Sequence, residues 1–155
     1  MNAFLGAAAA AVAAMAMAAP VAYPDGYRHW THVKSATVNP ASPAYAHFGG
    51  MHHIYGNKAA MAGFAGKSFP DGAVVVFDVL EWKEGAQHSD TGARRIVDVM
   101  VKDSRRYAAT GGWGYTEFKG DSHTERTMDA EAMPACAGCH MKNGGKDSVF
   151  SVYAD

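Results

Sequence analysis

Near its C-terminus the chain reads Pro134-Ala135-Cys136-Ala137-Gly138-Cys139-His140, and this run constrains the molecule more than any other. Two cysteines three apart, with a histidine directly after them, share one face of a helical turn, because positions i, i+3 and i+4 stack on the same side. Cys136 and Cys139 can then form thioethers to two vinyl groups along one porphyrin edge. His140 projects under the ring as the proximal iron ligand. Pro134 stands where a helix begins without wasting a backbone donor. The chain's 2 cysteines are both in this motif, so the reading is one covalent haem c per chain. The rival readings are weaker. A thioredoxin-like dithiol follows a strand early in a βαβ unit, a zinc site wants a fourth ligand that no second cluster offers, and a structural disulfide leaves His140 without a role.

The other end of the chain has its own character. Residues 1–18, MNAFLGAAAAAVAAMAMA, carry no charge and are nearly all alanine, methionine and small apolar residues. The stretch is too short and alanine-rich for a membrane span. Ala16-Met17-Ala18 supplies an A-x-A cleavage pattern before Ala19-Pro20, so a secretory signal peptide is expected although the usual basic n-region is missing; the alternative is an N-terminal helix that stays on. Cleavage leaves residues 19–155 as a single haem c domain in the periplasm, with no membrane attachment. Apolar residues make up 48% of the chain, enough for a real core. Lysine and arginine number 14 against 15 acidic residues, interspersed along the chain, which argues against nucleic acid as a partner.

Between these ends the pattern is mostly strand. A short stretch after Pro24-Asp25-Gly26 leads into a first strand near Val33–Val38, and NPASPAYAHFGG reads as a loop. MHHIYGN is extended, and NKAAMAGFAGKSF is helical with Met61 and Phe64 on one face until Gly66. The clearest strand is Gly72–Trp82, rich in β-branched residues. KEGAQHSDTG is a polar loop, and ARRIVDVMVKD is a second clear strand that alternates Ile96, Asp98 and Met100 against Val97, Val99 and Val101. SRRYAATGG is a short helix ending at glycine and WGYTEFKG another strand. Strands at meander spacing predict an α+β protein: an antiparallel β-sheet with short flanking helices and a C-terminal haem attachment helix.

The second axial position decides between electron carrier, gas binder and enzyme. Met51, Met61, Met100, Met128 and Met133 are candidates, as are His29, His32, His47, His52, His53, His88 and His123. A methionine is more often core filler, and a histidine more often a surface or satisfied core residue. Spacing alone leaves the sixth ligand open.

The blocks YRHWTHVKS, HHIYGNKAAM, FPDGAVVVFDVLE, VKDSRRYAATGGWGY and CAGCHMKNGGKDSVF resemble the cytochrome P-460 family over most of the chain. The resemblance implies a secreted, homodimeric β-sheet haem c protein. In the enzymatic branch, which oxidises hydroxylamine, a lysine five residues beyond the glycine of the F-x-D-G turn is cross-linked to the haem. Here the turn is Phe69-Pro70-Asp71-Gly72 and that position holds Phe77. Lys67 and Lys83 fall outside the position, and a phenylalanine cannot form the amine cross-link. The sequence is therefore more similar to the cytochrome c′-beta branch, in which phenylalanines cap the distal face, and Phe48 matches the second of these.

Such a cap gives the iron no lone pair, so the resemblance implies a five-coordinate ferrous site in an apolar pocket. Small neutral diatomics, nitric oxide and carbon monoxide, lose little hydration on entering such a pocket, whereas dioxygen gains from a distal donor. The expected function is nitric oxide capture, transport or detoxification, with a redox partner protein where turnover occurs. One alternative is a hydroxylamine- or nitric oxide-oxidising enzyme without the cross-link; another is a six-coordinate electron-transfer cytochrome. Of His52-His53, alternation sends one imidazole toward the pocket, and His52 is the candidate. Arg94, Arg95, Arg105, Arg106 and Arg126 include candidate partners for the haem propionates, since arginine suits carboxylates bidentately.

Overall fold

The computed structural model describes residues 20–128 and 130–153. Five strands, Thr31–Val38 (β1), Gly50–Gly56 (β2), Val74–Lys83 (β3), Asp90–Lys102 (β4) and Trp113–Lys119 (β5), form one sheet. Each pairs antiparallel with its neighbour in the chain. Three short helices flank it: Tyr45–Phe48 (α1), Ala60–Phe64 (α2) and Met133–Asn143 (α3). The fold is α+β, as the strand spacing predicts.

Register sorts the side chains into cross-strand rows. Gly56, Val75, Met100 and Tyr115 form one row, Ile54, Phe77, Asp98 and Glu117 the next, and His52, Val79, Ile96 and Lys119 the third. Residues two apart on a strand point to the same side, about 7 Å from each other. The three rows therefore share one face. On that face Ile54, Val75, Met100, Trp113 and Tyr115 bury themselves with Ala137 of α3 and Val149, and Phe77 and Cys136 pack against the same cluster.

The opposite face packs Val76, Val97, Val99 and Phe118 against Val21, Tyr27 and Tyr107. Asp78 is only 1% exposed there. Its charge is met by Arg94, whose Nε donates to Oδ1 at 2.6 Å, and by the Tyr27 hydroxyl, which donates to Oδ2 at 2.8 Å. Buried carboxylates persist only when partnered in this way.

Several local expectations need correction. The segment read as a loop contains α1, whose one turn lies between the Pro40 and Pro43 stretch and Gly49-Gly50. The expected helix ending at Gly66 shrinks to Ala60–Phe64, because Gly63 weakens it and the Phe69 ring occupies the space beside Gly63. β4 begins at Asp90, inside the polar stretch, because backbone pairing of Asp90 with Lys83 and Thr91 with Trp82 continues where side chains are exposed. Of the helix expected over 104–112, only the 3₁₀ turn Ala108–Thr110 forms. The candidate signal peptide, residues 1–18, lies outside the described residues. Among the described residues no helix is long and apolar enough to cross a membrane.

Candidate haem site

The motif lies on α3, with Pro134 in the first turn and Gly144 directly after the last residue. Ala137 is buried against the sheet, Cys136 and His140 are half-buried, and Cys139 is exposed. Both cysteines are free thiols. The Cys136 Sγ approaches Met128 Sδ at 3.2 Å, and burial, followed by the Asp98 and Glu117 carboxyls, pushes its thiol pKa up.

His140 is oriented by a single polar contact. Its Nδ1 donates to the Ser148 carbonyl at 3.0 Å, which fixes the tautomer and leaves Nε2 as the free lone pair. Burial lowers its pKa, so the ring is held neutral, the form a metal requires. The ring packs between Tyr115, at 5.0 Å, and Phe150, at 4.7 Å. Phe150 remains half exposed.

One row along the same sheet face stands the aromatic group singled out in the sequence. Phe48, at the end of α1, meets Phe77 of β3 edge-on at 5.7 Å, and His52 of β2 lies 4.5 Å from Phe77. His52 is held neutral by burial, with lesser contributions from His53 and Lys34, and its Nδ1 has no partner. His53 points to the other face, where its ring meets Tyr55. The position five residues beyond Gly72 thus carries a ring in contact with the other two. Lys67 and Lys83 are both exposed, and Lys102, the one buried lysine among the described residues, is paired with Asp147.

The face is not uniformly apolar, contrary to the pocket expected from sequence. Register sets Asp98 opposite Phe77 and Glu117 opposite Asp98. Glu117 is 3% exposed and accepts from His47 Nε2 at 2.5 Å and from the Thr127 hydroxyl. Burial, then the charge and hydrogen bond of Glu117, hold the Asp98 carboxyl well above the usual carboxylate range. Sequence alternation places Asp98 beside Met100 on one face, but the pairing with Glu117 depends on β4–β5 register, which the sequence does not carry. His47 enters through α1, the element read as loop.

The arginines divide. Arg94 turns to the opposite face to hold Asp78, and so is not available to the site. Arg95 donates to the carbonyls of Gly49 and Ala46, bracing the end of α1 that carries Phe48. Arg126 donates to the Val21 carbonyl, and Arg105 and Arg106 are exposed. Two open clefts, one of about 760 Å³ between Thr37–Pro40 and Glu81–Glu84 and one of about 360 Å³ along Lys83–Asp90, include none of Cys136, Cys139 or His140. The site is defined by its donors. Among the described residues no group of three or more His, Cys, Asp or Glu is arranged to hold a metal ion by itself.

The family model for cytochrome P460 matches residues 24–151, most of the chain. The chain belongs to the cytochrome P460 family. A search of the curated proteins finds no match. Membership makes the protein a haem cytochrome, and the site residues fit that group. His140 has a free Nε2 and a committed Nδ1, as a proximal ligand needs. Cys136 and Cys139 precede it by four and one residues on the same helix. The Tyr115 hydroxyl and His52 Nδ1, both on this face, are buried without partners. Buried polar atoms are ordinarily satisfied, and two orphans on the face beside the motif mark where a further polar or metal-bearing group belongs. Cys136, Cys139 and His140 are the residues that would hold the haem, and the iron would supply ligand-binding and one-electron chemistry.

Proposed function

We propose that the protein is a periplasmic cytochrome carrying one covalent haem c, with a five-coordinate ferrous iron that binds nitric oxide and carbon monoxide for nitric oxide capture, transport or detoxification. The observation that carries this reading is the edge-on contact of Phe48 with Phe77, on the sheet face against which Cys136 packs. Two phenyl rings offer no lone pair, and they restrict access to small ligands. The amine needed for a haem cross-link is missing from position 77, which favours binding over hydroxylamine oxidation. Asp98 and Glu117 set two carboxyls at the edge of this cap, so a neutral gas enters more readily than an anion. Homodimerisation follows from the family resemblance, and a redox partner protein would serve any turnover.

A second reading has its own observation. His52 presents a buried, neutral imidazole with an unpartnered Nδ1 beside Phe77, which suits a six-coordinate electron carrier.

The ferrous absorption spectrum of the purified protein, before and after nitric oxide and carbon monoxide, separates the two. A high-spin haem c spectrum that changes with both gases supports the gas binder. A low-spin spectrum indifferent to carbon monoxide overturns it in favour of the carrier. Turnover of hydroxylamine with an oxidant would return the enzyme to the lead. Intact mass of the same sample reports covalent attachment and signal cleavage, and its sedimentation reports the dimer.

A further inference from the structure

Behind His140 the chain adopts a conformation that side chains seldom tolerate. Asp147 and Ser148 follow one another with φ of 56° and 63°, the only non-glycine residues with positive φ among those described. Such residues persist only where the surroundings over-determine them, and they gather at functional sites. Here the surroundings are unusually specific. Lys102, 8% exposed, donates to Asp147 Oδ1 at 2.7 Å, and the Phe69 amide donates to Oδ2 at 3.1 Å. The Trp113 indole donates to the Asp147 carbonyl at 2.9 Å. Lys102 is fixed in turn by the Gly111 carbonyl at 3.1 Å and by the Trp113 ring, 4.9 Å from its Nζ. The next carbonyl along the chain, that of Ser148, is the one His140 Nδ1 contacts.

We propose that Asp147, clamped by Lys102 and Trp113, is a positioning residue for the proximal imidazole: the clamp holds the left-handed turn that aims the Ser148 carbonyl at His140 Nδ1. This rests on the reading of His140 as the iron's proximal ligand. A carbonyl held firmly on Nδ1–H raises the basicity of Nε2 and fixes the ring plane. Firmer donation would favour ferric over ferrous iron and strengthen the bond that His140 Nε2 would make to it. The clamp reaches the imidazole from β4 and β5, so the sheet itself would set how firmly His140 holds an iron. A part-buried lysine–aspartate pair gives little net stability, and its placement behind His140 gives it this use.

The test uses the haem-loaded, exported protein and two gas-free readouts: the midpoint potential and the iron–histidine stretching band of the ferrous form. Lys102→Met should raise the potential by about 59 mV for each tenfold loss of ferric preference, and lower the stretching frequency. Lys102→Arg should stay near wild type. Where Lys102→Met fails to fold, the double variant Lys102→Met/Asp147→Asn decides, because it leaves no unpaired charge and keeps a side chain for which the positive φ is disfavoured. A potential and band equal to wild type in a variant that carries covalent haem would overturn the clamp. A wild-type protein with no covalent haem, or with no iron–histidine band, would instead overturn the haem reading on which the clamp rests.

Discussion

The ring of Phe48 stands at 88° to the ring of Phe77, their centroids 5.7 Å apart, an edge-to-face pair drawn from a one-turn helix and the central strand of the sheet. Aromatic pairs in this geometry are favourable beyond the area they bury. The pair ties the position of α1 to β3 and closes one side of the candidate site.

Phe77→Ala removes one half of that pair. The ring is half-buried, so the cost is expected near 2 kcal/mol, below the roughly 3–5 kcal/mol of a fully buried aromatic. On the proposed reading, carbon monoxide binding should persist and bulky alkyl isocyanides should bind more readily than to the wild type. Titrating both ligand classes into the two ferrous proteins measures this; equal exclusion in both would show that Phe77 is not the barrier.

The placement of Phe48 depends on Gly50, which has a φ of 115°. A Cβ there would run into the Leu80 carbonyl of β3, which cannot give way without breaking the sheet. Gly50→Ala should therefore cost about 1–3 kcal/mol in strain and pull α1 off Phe77. Urea unfolding gives the first effect, and a faster carbon monoxide on-rate in the holoprotein the second.

Stability should fall with rising pH because of Asp98. Its carboxyl is raised by burial and by Glu117, with His47 and Thr127 on the far side of Glu117. As pH climbs past the ordinary carboxylate range, the unfolded chain releases its proton while folded Asp98 keeps it, so unfolding becomes more favourable until the raised value is passed. Below the ordinary range this contribution is fully present. Asp98→Asn, which cannot ionise, should flatten the slope across that window in a pH series of urea midpoints, and an unchanged slope would place the titration elsewhere.

Asp78→Ala tests the opposite face. It leaves Arg94, whose side chain is 9% exposed, with only its outer contact to Asp121. Breaking a buried ion pair from one side costs about 3–5 kcal/mol. Because Asp78 and Tyr27 lie on the face away from the motif, the ferrous spectrum of whatever protein folds should match wild type.

The sequence made some of this legible and not the rest, for reasons that can be named. β3 and β4 announce themselves through Val74-Val75-Val76 and the alternation of Ile96 to Val101. α3 is marked by Pro134 and by the spacing of Cys136, Cys139 and His140. Phe77 stood out only through the family resemblance, since a phenylalanine on a buried strand is otherwise unremarked. α1 was hidden because four residues between prolines and glycines carry no periodicity. Asp98–Glu117 and Lys102–Asp147 were hidden for a deeper reason: each pair exists only once strands or distant segments are in register, and neither partner signals the other locally.

The meander also bears on the order in which the molecule comes together. Every strand pairs with the strand beside it in the chain, so loops close over short stretches and little entropy is lost at each step. α3 follows all five strands, and as the chain emerges N-terminus first its thiols arrive after the sheet residues have been made. Assembly thus leaves Cys136, Cys139 and His140 until the surface that receives α3 is nearly complete, so both thiols stay in reach until the sheet is made and Cys136 is tucked against it.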